Sequence, residues 1–217
     1  PTVVTVHDTI PLVFPKYFPP GLKGQVKFQI QKFSLQGVRT IITDCQCSKK
    51  DIQKYLGFPE SRISVVPLAP GREFKVIRSR SILDGIKNKY GLPEKFVLYV
   101  GDVNYHKNIL GLIRAFSKLD RGYNLVLVGK ALGEEDLKET GQIVQLIKSI
   151  NLEERVKRFG WVSQDDMPAI YNLASVYCQP SFYEGFGLPV LEAMACGAPV
   201  VAAKTPSLEE IAAGVTV

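Results

Sequence analysis

The chain has 217 residues and a formal net charge of +6, with 46% hydrophobic and 22% charged residues. These values are ordinary for a globular protein, and no apolar run approaches the ~20 residues that a bilayer-spanning helix needs. The positive charge favours an anionic partner. Because the sequence carries no recognised nucleic-acid-binding motif, nucleic acid is not expected to be that partner.

The first part of the chain reads as short strands and helices joined by polar turns. Strands are predicted at 2–6, 40–43 and 63–68, and helices at 22–36, 49–56 and 81–90. Ser48 is the expected N-cap of the helix at 49–56. The loop at 9–21 contains four prolines, so no regular structure is expected there. A basic segment with Pro and Gly at 70–81 marks a domain boundary.

The second part continues the alternation with longer elements. Strands are predicted at 96–100, 124–128, 156–159, 174–178 and 198–203, with another beginning at 214–217, and helices at 109–119, 135–150, 165–174, 190–195 and 206–213. Asn108 is the expected cap of the helix at 109–119, whose apolar residues recur at helical spacing. Strands that alternate with helices throughout predict an α/β fold with parallel sheets covered on both faces.

The cysteines give no sign of a metal site or a disulfide framework. Cys45, Cys47, Cys178 and Cys196 form no C-x-x-C pair and have no histidine at zinc-ligand spacing. Cys178 and Cys196 lie in apolar stretches and are expected to be small core residues. The Cys45-x-Cys47 spacing is too tight for an ordinary disulfide within a strand. A reducing cytoplasm is therefore the predicted compartment.

Two predicted helix N-termini follow parallel strands and could bind phosphate through free N–H groups and the positive end of the helix dipole. At the first of these N-termini, that of the helix at 109–119, stands Lys107. The other follows a loop with two glycines and has Pro189 at its first position, where the missing N–H costs nothing. Glu184 in that loop and Glu192 one turn into the helix would accept hydrogen bonds from sugar hydroxyls.

The segment PSFYEGFGLPVLEAMACGAPVV at 180–201 resembles the donor-binding signature of family 4 retaining glycosyltransferases, the E-x7-E group with the GT-B fold. The resemblance implies two Rossmann-like domains with parallel sheets. Residues 1–72 would be the latter part of the N-terminal, acceptor-side domain, which would be incomplete. Residues 73–81 would be a linker, and 82–217 the donor-binding domain, truncated at its end.

The resemblance implies a nucleotide-diphospho-sugar donor and assigns residues to it. Glu184 would contact the donor sugar and Glu192 the ribose hydroxyls. The intervening backbone, at Gly185, Phe186, Gly187 and Leu188, would hold sugar hydroxyls and the diphosphate. The H-D-x-x-P pattern at 7–11 resembles a loop of the same family whose histidine, here His7, points towards the donor sugar.

The segment with Gly101, Lys107 and Asn108 resembles the phosphate-binding loop of the family, in which the lysine grips the diphosphate. Many members carry arginine directly before this lysine, where this chain has His106, and some carry arginine after the glycine, where it has Asp102. His106 is then a weaker helper. The remaining implied donor contacts follow two later strands and are Gly129, Lys130, Gly160, Trp161 and Val162.

The mechanism implied by the resemblance is transfer of a hexose, with retention at the anomeric carbon, to a carbohydrate or lipid-linked acceptor in polysaccharide or glycoconjugate synthesis. Lys107 and the helix N-termini would stabilise the departing diphosphate. The sequence has no D-x-D motif, so neither a catalytic metal nor another cofactor is expected. The motif details favour mannose from GDP-mannose. A nucleophilic role for Glu184 is the less favoured alternative to hydrogen bonding.

Two other functions remain open at this point: a nucleotide-sugar-binding protein without transferase activity, and a nucleotide-sugar epimerase of the same fold. A nicotinamide-dependent dehydrogenase is disfavoured, because no G-x-G-x-x-G motif follows a predicted strand. The cytoplasm is the expected location, and the basic charge also allows peripheral contact with the inner face of the membrane.

Overall fold

The structure is a computed structural model that describes residues 2–212. The strand predicted at 214–217 lies outside the described residues. These residues form two compact units: the first contains 2–68, Tyr183–Gly187 and 205–212, and the second contains Ala69–Phe182 and Leu188–Lys204. Residues 2–212 include no helix able to span a bilayer.

The first unit is built on a three-stranded parallel sheet in the order β1-β2-β3. Its strands are β1 (Thr2–Thr5), β2 (Val38–Thr43) and β3 (Ile63–Val65), and its early helices are α1 (Ile10–Val13), α2 (Gly21–Ser34) and α3 (Gln46–Asp51). A wider π-type turn, Ile52–Leu56, continues α3. The core of this unit consists of a small group of apolar side chains: Val38, Ile41, Ile52, Phe58 and Ile63.

The second unit is built on a five-stranded parallel sheet in the order β6-β5-β4-β7-β8. Its strands are β4 (Phe96–Val100), β5 (Asn124–Val128), β6 (Val156–Phe159), β7 (Val176–Gln179) and β8 (Val200–Ala202). Its helices are α4 (Arg80–Tyr90), α5 (Ile109–Phe116), α6 (Lys138–Ser149), α7 (Met167–Leu173) and α8 (Leu188–Ala195), and α9 (Pro206–Ala212) returns to the first unit. The core lies where apolar residues of α5 and α6 cover β4 and β5.

Two local predictions in the first unit are wrong. The proline-rich loop contains the one-turn helix α1, because Pro11 falls in the first helical turn and Asp8 Oδ1 accepts the Ile10 N–H at 2.9 Å. Helix α3 begins three residues earlier than predicted, and its N-cap is Cys45, whose sulfur accepts the Ser48 N–H at 3.3 Å. Ser48 therefore lies inside the helix and is not its cap.

Gly129 stands where the backbones after β4 and β5 approach each other closely. A β-carbon at this position would lie 1.9 Å from the Gly101 carbonyl oxygen. That segment is itself held to the sheet, since Gly101 N–H donates to Val128 O at 2.9 Å. We therefore expect Gly129→Ala to lower the free energy of unfolding by about 2–3 kcal/mol, measured by urea denaturation.

The matched control for Gly129 is Gly141 in α6, where an added β-carbon would meet no atom within 4 Å. Gly141→Ala should raise the free energy of unfolding by about 0.5–1 kcal/mol, because alanine favours the helix. Equal urea midpoints for the two variants would contradict the close approach of the two strand ends.

Candidate active site

The sheet of the second unit reverses its strand order at β4. From β4 the chain proceeds to β5 and β6 on one side, and then returns to the other side for β7 and β8. In open parallel sheets, ligands bind beside such a reversal, at the carboxyl ends of the strands. The carboxyl ends of β4 and β7 therefore define the candidate ligand site of this unit, and the loops that leave them carry the motifs found in the sequence.

The loop after β4 reaches α5 through a 3-10 turn, Tyr105–Lys107. Asp102 stabilises this loop, because its carboxylate accepts hydrogen bonds from the Val103 N–H at 2.8 Å and the Asn104 side-chain amide at 2.7 Å. Asp102 therefore has a structural role in this loop. Lys107 is the last residue of the turn, partly exposed, with only Asn108 between it and α5.

Two hydrogen bonds tie the β4 loop to the segment that follows β7. The Phe182 N–H donates to His106 O at 2.8 Å, and the Asn108 side chain donates to Pro180 O at 3.0 Å. Asn108 occupies the N-cap position of α5 in a left-handed conformation but makes no side-chain capping bond, so its predicted capping role is wrong. The two hydrogen bonds instead fix the position of Lys107 and the start of α5 relative to the end of β7.

Glu192 lies in the second turn of α8 and is held by Tyr171, whose hydroxyl donates to Oε2 at 2.8 Å. Burial raises the pKa of Glu192; the Glu73 carboxylate adds to the rise, and the hydrogen bond from Tyr171 opposes it. Burial also raises the pKa of Tyr171, so its hydroxyl remains a donor. A carboxylate fixed through one oxygen can present the other to hydroxyl groups of a ligand.

The loops after β5 and β6 meet through glycine backbones. A β-carbon added at Gly160 would lie 2.6 Å from the Gly133 Cα, which leaves no room for a side chain. Lys130 is exposed at the start of a 3-10 turn, Val162 is partly exposed, and the Trp161 side chain is 75% exposed. An exposed indole ring of this kind is able to stack on a planar ligand.

His7 lies in the first unit, shortly after β1. Its Nδ1 is 2.8 Å from Asp44 Oδ2, and Asp44 is almost fully buried while the His7 side chain is 66% exposed. Because a carboxylate only accepts, the proton belongs on Nδ1 in this arrangement. Asp44 therefore orients the imidazole and leaves Nε2 as its second polar atom.

The loop Tyr183–Gly187 also belongs to the first unit and packs against the segment that carries His7. A β-carbon at Gly185 would lie 2.7 Å from the Asp8 Cβ and 3.4 Å from His7 O. Glu184 is buried at 5% exposure, and its carbonyl accepts the Ser207 hydroxyl at 2.8 Å. At Gly187 the backbone has φ +110°, which favours glycine. Phe186 is buried, and Leu188 begins α8.

Sequence reasoning missed the two side chains that orient predicted site residues, Asp44 for His7 and Tyr171 for Glu192. One signal for Asp44 was present, because it follows β2 as His7 follows β1, and the carboxyl ends of parallel neighbours meet at one edge. No local pattern pairs Tyr171 with Glu192, which lies 21 residues further along the chain. The structure thus adds a positioning contact to each of these two predicted residues.

Comparison with known proteins gives relatives over nearly the whole chain. It is 33% identical to the O-antigen chain mannosyltransferase B of Escherichia coli over 96% of this chain and 54% of that protein. It is also 33% identical to the serotype-specific mannosyltransferase WbdA of Escherichia coli, over 97% of this chain and 26% of that protein. The chain therefore spans about half, or less, of the length of the curated relatives it matches.

Among solved structures, Anabaena Alr3699/HepE in complex with UDP and glucose superimposes with a TM-score of 0.81 at 24% identity, over 97% of this chain and 55% of that one. This likeness confirms the predicted fold class, the parallel α/β architecture of GT-B glycosyltransferases. The model of the family "Glycosyl transferases group 1" matches residues 84–214, which contain most of the second unit. The chain therefore belongs to the group 1 glycosyl transferases.

Proposed function

We propose that this protein is a retaining hexosyltransferase of the E-x7-E type, which transfers mannose from GDP-mannose to a glycan or lipid-linked acceptor in polysaccharide synthesis. The observation that carries the proposal is the 33% identity, over nearly the whole chain, to relatives named as O-antigen and serotype-specific mannosyltransferases. The predicted division into residues 1–72, a linker at 73–81 and 82–217 stays part of this proposal.

Three features of the second unit support a nucleotide-diphosphate role. Lys107 and the N-terminus of α5 provide positive charge and free N–H groups beside the strand-order reversal. Glu192, held through one oxygen by Tyr171, is suited to accept hydrogen bonds from the two ribose hydroxyls. The exposed ring of Trp161 and the glycine backbone before it are suited to flank the base, with Lys130 and Gly129 on the adjacent strand end.

The proposed contacts to the sugar are Glu184, the residues that follow it, and His7. Glu184 and the backbone of the following residues would accept and donate hydrogen bonds to its hydroxyls, and His7, oriented by Asp44, would add a directed donor or acceptor. Asp44 is a positioning residue in this scheme.

The transfer step needs no protein nucleophile. The acceptor oxygen bonds to the anomeric carbon on the face that the diphosphate leaves, the carbon–oxygen bond to the β-phosphate breaks, and the acceptor proton passes to the leaving phosphate oxygen. Charge then develops on the diphosphate, so donors fixed around that group stabilise the transition state more than the ground state. Lys107 and the N–H groups at the start of α5 are the proposed source of this stabilisation. His106 would contribute because its carbonyl, which accepts the Phe182 N–H, helps to hold the loop that carries Lys107.

Calorimetric titration with GDP, UDP and ADP tests the nucleotide. We expect GDP to bind at least tenfold more tightly than the other two, a difference of about 1.4 kcal/mol. A preference for UDP or ADP would overturn the GDP-mannose proposal, and binding of none would overturn the donor site. If GDP-mannose binds but no acceptor is glycosylated, the protein is a binding protein, and conversion of the sugar without an acceptor would identify an epimerase.

A further inference from the structure

Exposed aromatic side chains lie along one edge of the second unit's sheet. Among the described residues of this unit, the exposed large aromatic side chains are Tyr105, Trp161 and Phe182. Each of them shortly follows the carboxyl end of a strand, namely β4, β6 and β7 in that order. Trp161 already has a proposed role beside the base. Tyr105 and Phe182 therefore stand at the candidate ligand site without a role in the proposed transfer.

Tyr105 and Phe182 form a pair. Their ring centroids are 5.5 Å apart, and the planes of the two rings are inclined at 39°. Although the rings pack together, Tyr105 remains 41% exposed and Phe182 remains 48% exposed. The pair thus presents an aromatic surface two rings wide at the ends of β4 and β7.

Hydrogen bonds hold the backbone that carries each ring. The Phe182 N–H donates to His106 O at 2.8 Å, so one ring is tied to the residue next to the other ring. The Asn108 N–H donates to Tyr105 O at 3.1 Å and closes the 3-10 turn that begins at Tyr105. Rings carried by a fixed backbone lose little conformational freedom when a ligand binds, which favours affinity.

This surface fits the apolar face of a sugar ring. A pyranose carries hydroxyl groups around its rim, and in mannopyranose the axial hydroxyl at C2 occupies one face and leaves the C–H groups of C3 and C5 on the other. The face of an aromatic ring is partially negative and attracts such C–H groups. Asp102 offers acceptors for the rim hydroxyls, because it is exposed and each of its oxygens, which accepts one hydrogen bond within the loop, can accept a second.

We propose that Tyr105 and Phe182 form an acceptor subsite, on which a pyranose ring of the acceptor saccharide stacks. The inference rests on the proposed function, in which the acceptor oxygen attacks on the face that the diphosphate leaves, so that the acceptor ring must lie beside the diphosphate. Tyr105 and Lys107, the residue proposed to bind the diphosphate, belong to the same 3-10 turn. The aromatic pair is therefore placed next to the leaving group.

A nucleobase is the other planar ligand that aromatic side chains bind. The proposed base contacts follow β6, which is two strands away from β4 in the sheet order. With neighbouring strands about 4.8 Å apart, these strand ends are separated by about 10 Å. A base beside Trp161 thus leaves the Tyr105–Phe182 pair available for the sugar end of the site.

Substitutions that remove or keep the flat ring test the subsite, with mannotriose as the probe. The probe is added to the protein in the presence of GDP, and its binding is followed by saturation-transfer NMR. We expect the wild-type protein to bind mannotriose, with the strongest transfer to the C3 and C5 protons of one ring. Tyr105→Leu and Phe182→Leu should each weaken this binding about tenfold. Tyr105→Phe and Phe182→Tyr should bind the probe as the wild type does.

Calorimetric titration of the same variants with GDP and with GDP-mannose should give unchanged affinities, and unaltered urea denaturation would show that they fold. Where transfer occurs, the leucine variants should raise KM for mannotriose and leave KM for GDP-mannose unchanged.

No binding of mannotriose by the wild-type protein, or equal binding by the leucine variants, would overturn the subsite. Weaker binding of GDP in those variants would assign the rings to the base, and weaker binding of GDP-mannose alone would assign them to the donor sugar; either result overturns the proposal. Because binding of the probe requires no transfer, it decides the subsite even if the protein proves not to be a transferase.

Discussion

Replacing Lys107 by alanine is expected to weaken GDP binding about 10- to 100-fold, the equivalent of losing one charge-assisted hydrogen bond. The reason is the position of this residue beside the strand-order reversal, one residue before α5. Its ammonium group would bring a full positive charge to the diphosphate oxygens, whereas the N–H groups of α5 carry only partial positive charges. The change is measured by calorimetric titration with GDP.

The same substitution should lower kcat/KM for mannosyl transfer by a larger factor, about 100- to 1,000-fold, because the negative charge on the leaving diphosphate grows in the transition state. Lys107→Arg is expected to recover only part of the rate, since a planar guanidinium does not reproduce the geometry of an ammonium group. If kcat/KM and the affinity for GDP fall by the same factor in Lys107→Ala, Lys107 binds the diphosphate without contributing to the chemical step.

Lys118→Ala is the matched control, because it removes the same charge from an exposed site in the same unit, after the end of α5. Screening limits the effect of such a distant charge to a small, salt-dependent change in affinity. If both lysine variants weaken GDP binding equally, the contribution of Lys107 is the general positive field of the protein and not a contact. Unaltered urea denaturation of both variants would show that binding, and not folding, has changed.

The elements that sequence patterns predicted best are three strands of the second unit, each of which is followed by glycine. The bounds of β4, β5 and β6 agree with the prediction; β4 and β5 are mostly buried, largely apolar runs, whereas β6 is a shorter strand with two charged residues. These strands also place Gly101, Gly129 and Gly160 at one edge of the sheet, so much of the second unit's candidate site follows from local sequence. The strand-order reversal itself could not be predicted locally, since pairing of β4 with β7 joins residues far apart in the chain.

The sequence was less informative where one residue type can serve two purposes. Ser48 is a common helix cap, but here Cys45 caps α3 and the Ser48 hydroxyl donates to Gly185 O, 137 residues away. Proline breaks a helix at most positions, yet Pro11 is accommodated in the first turn of α1. Asp44 and Tyr171 act through long-range hydrogen bonds, which leave no periodic trace in the sequence. Local propensity therefore located the site residues better than it located the groups that orient them.

Glu192→Gln is expected to weaken GDP binding about tenfold while making the free protein more stable at neutral pH. The amide oxygen can still accept from Tyr171, but it is a weaker acceptor than a carboxylate for the ribose hydroxyls, a difference of about 1.4 kcal/mol. The gain in stability arises because burial raises the pKa of Glu192. Ionisation of this carboxyl at neutral pH therefore costs more free energy in the folded protein than in the unfolded protein.

The sign of this effect can be followed through pH. Because the pKa of Glu192 is higher in the folded than in the unfolded state, its contribution to stability is fully present below the unfolded value. That contribution is lost as the pH rises through the raised folded value. Glutamine does not titrate, so the stability advantage of Glu192→Gln over wild type should grow as the pH rises through this window and then stay constant. Urea denaturation of both proteins across the acidic to neutral range measures it.

Glu153→Gln is the control for the loss of one negative charge, because Glu153 is an exposed residue of the same unit. It should change neither the pH dependence of stability nor the affinity for GDP. If Glu192→Gln instead destabilises the protein at neutral pH, the carboxylate is stabilised in the folded state and the inferred effect of burial is wrong. If stability rises but GDP affinity is unchanged, Glu192 is a buried acid of α8 that does not contact the ribose, and the E-x7-E assignment loses its second glutamate.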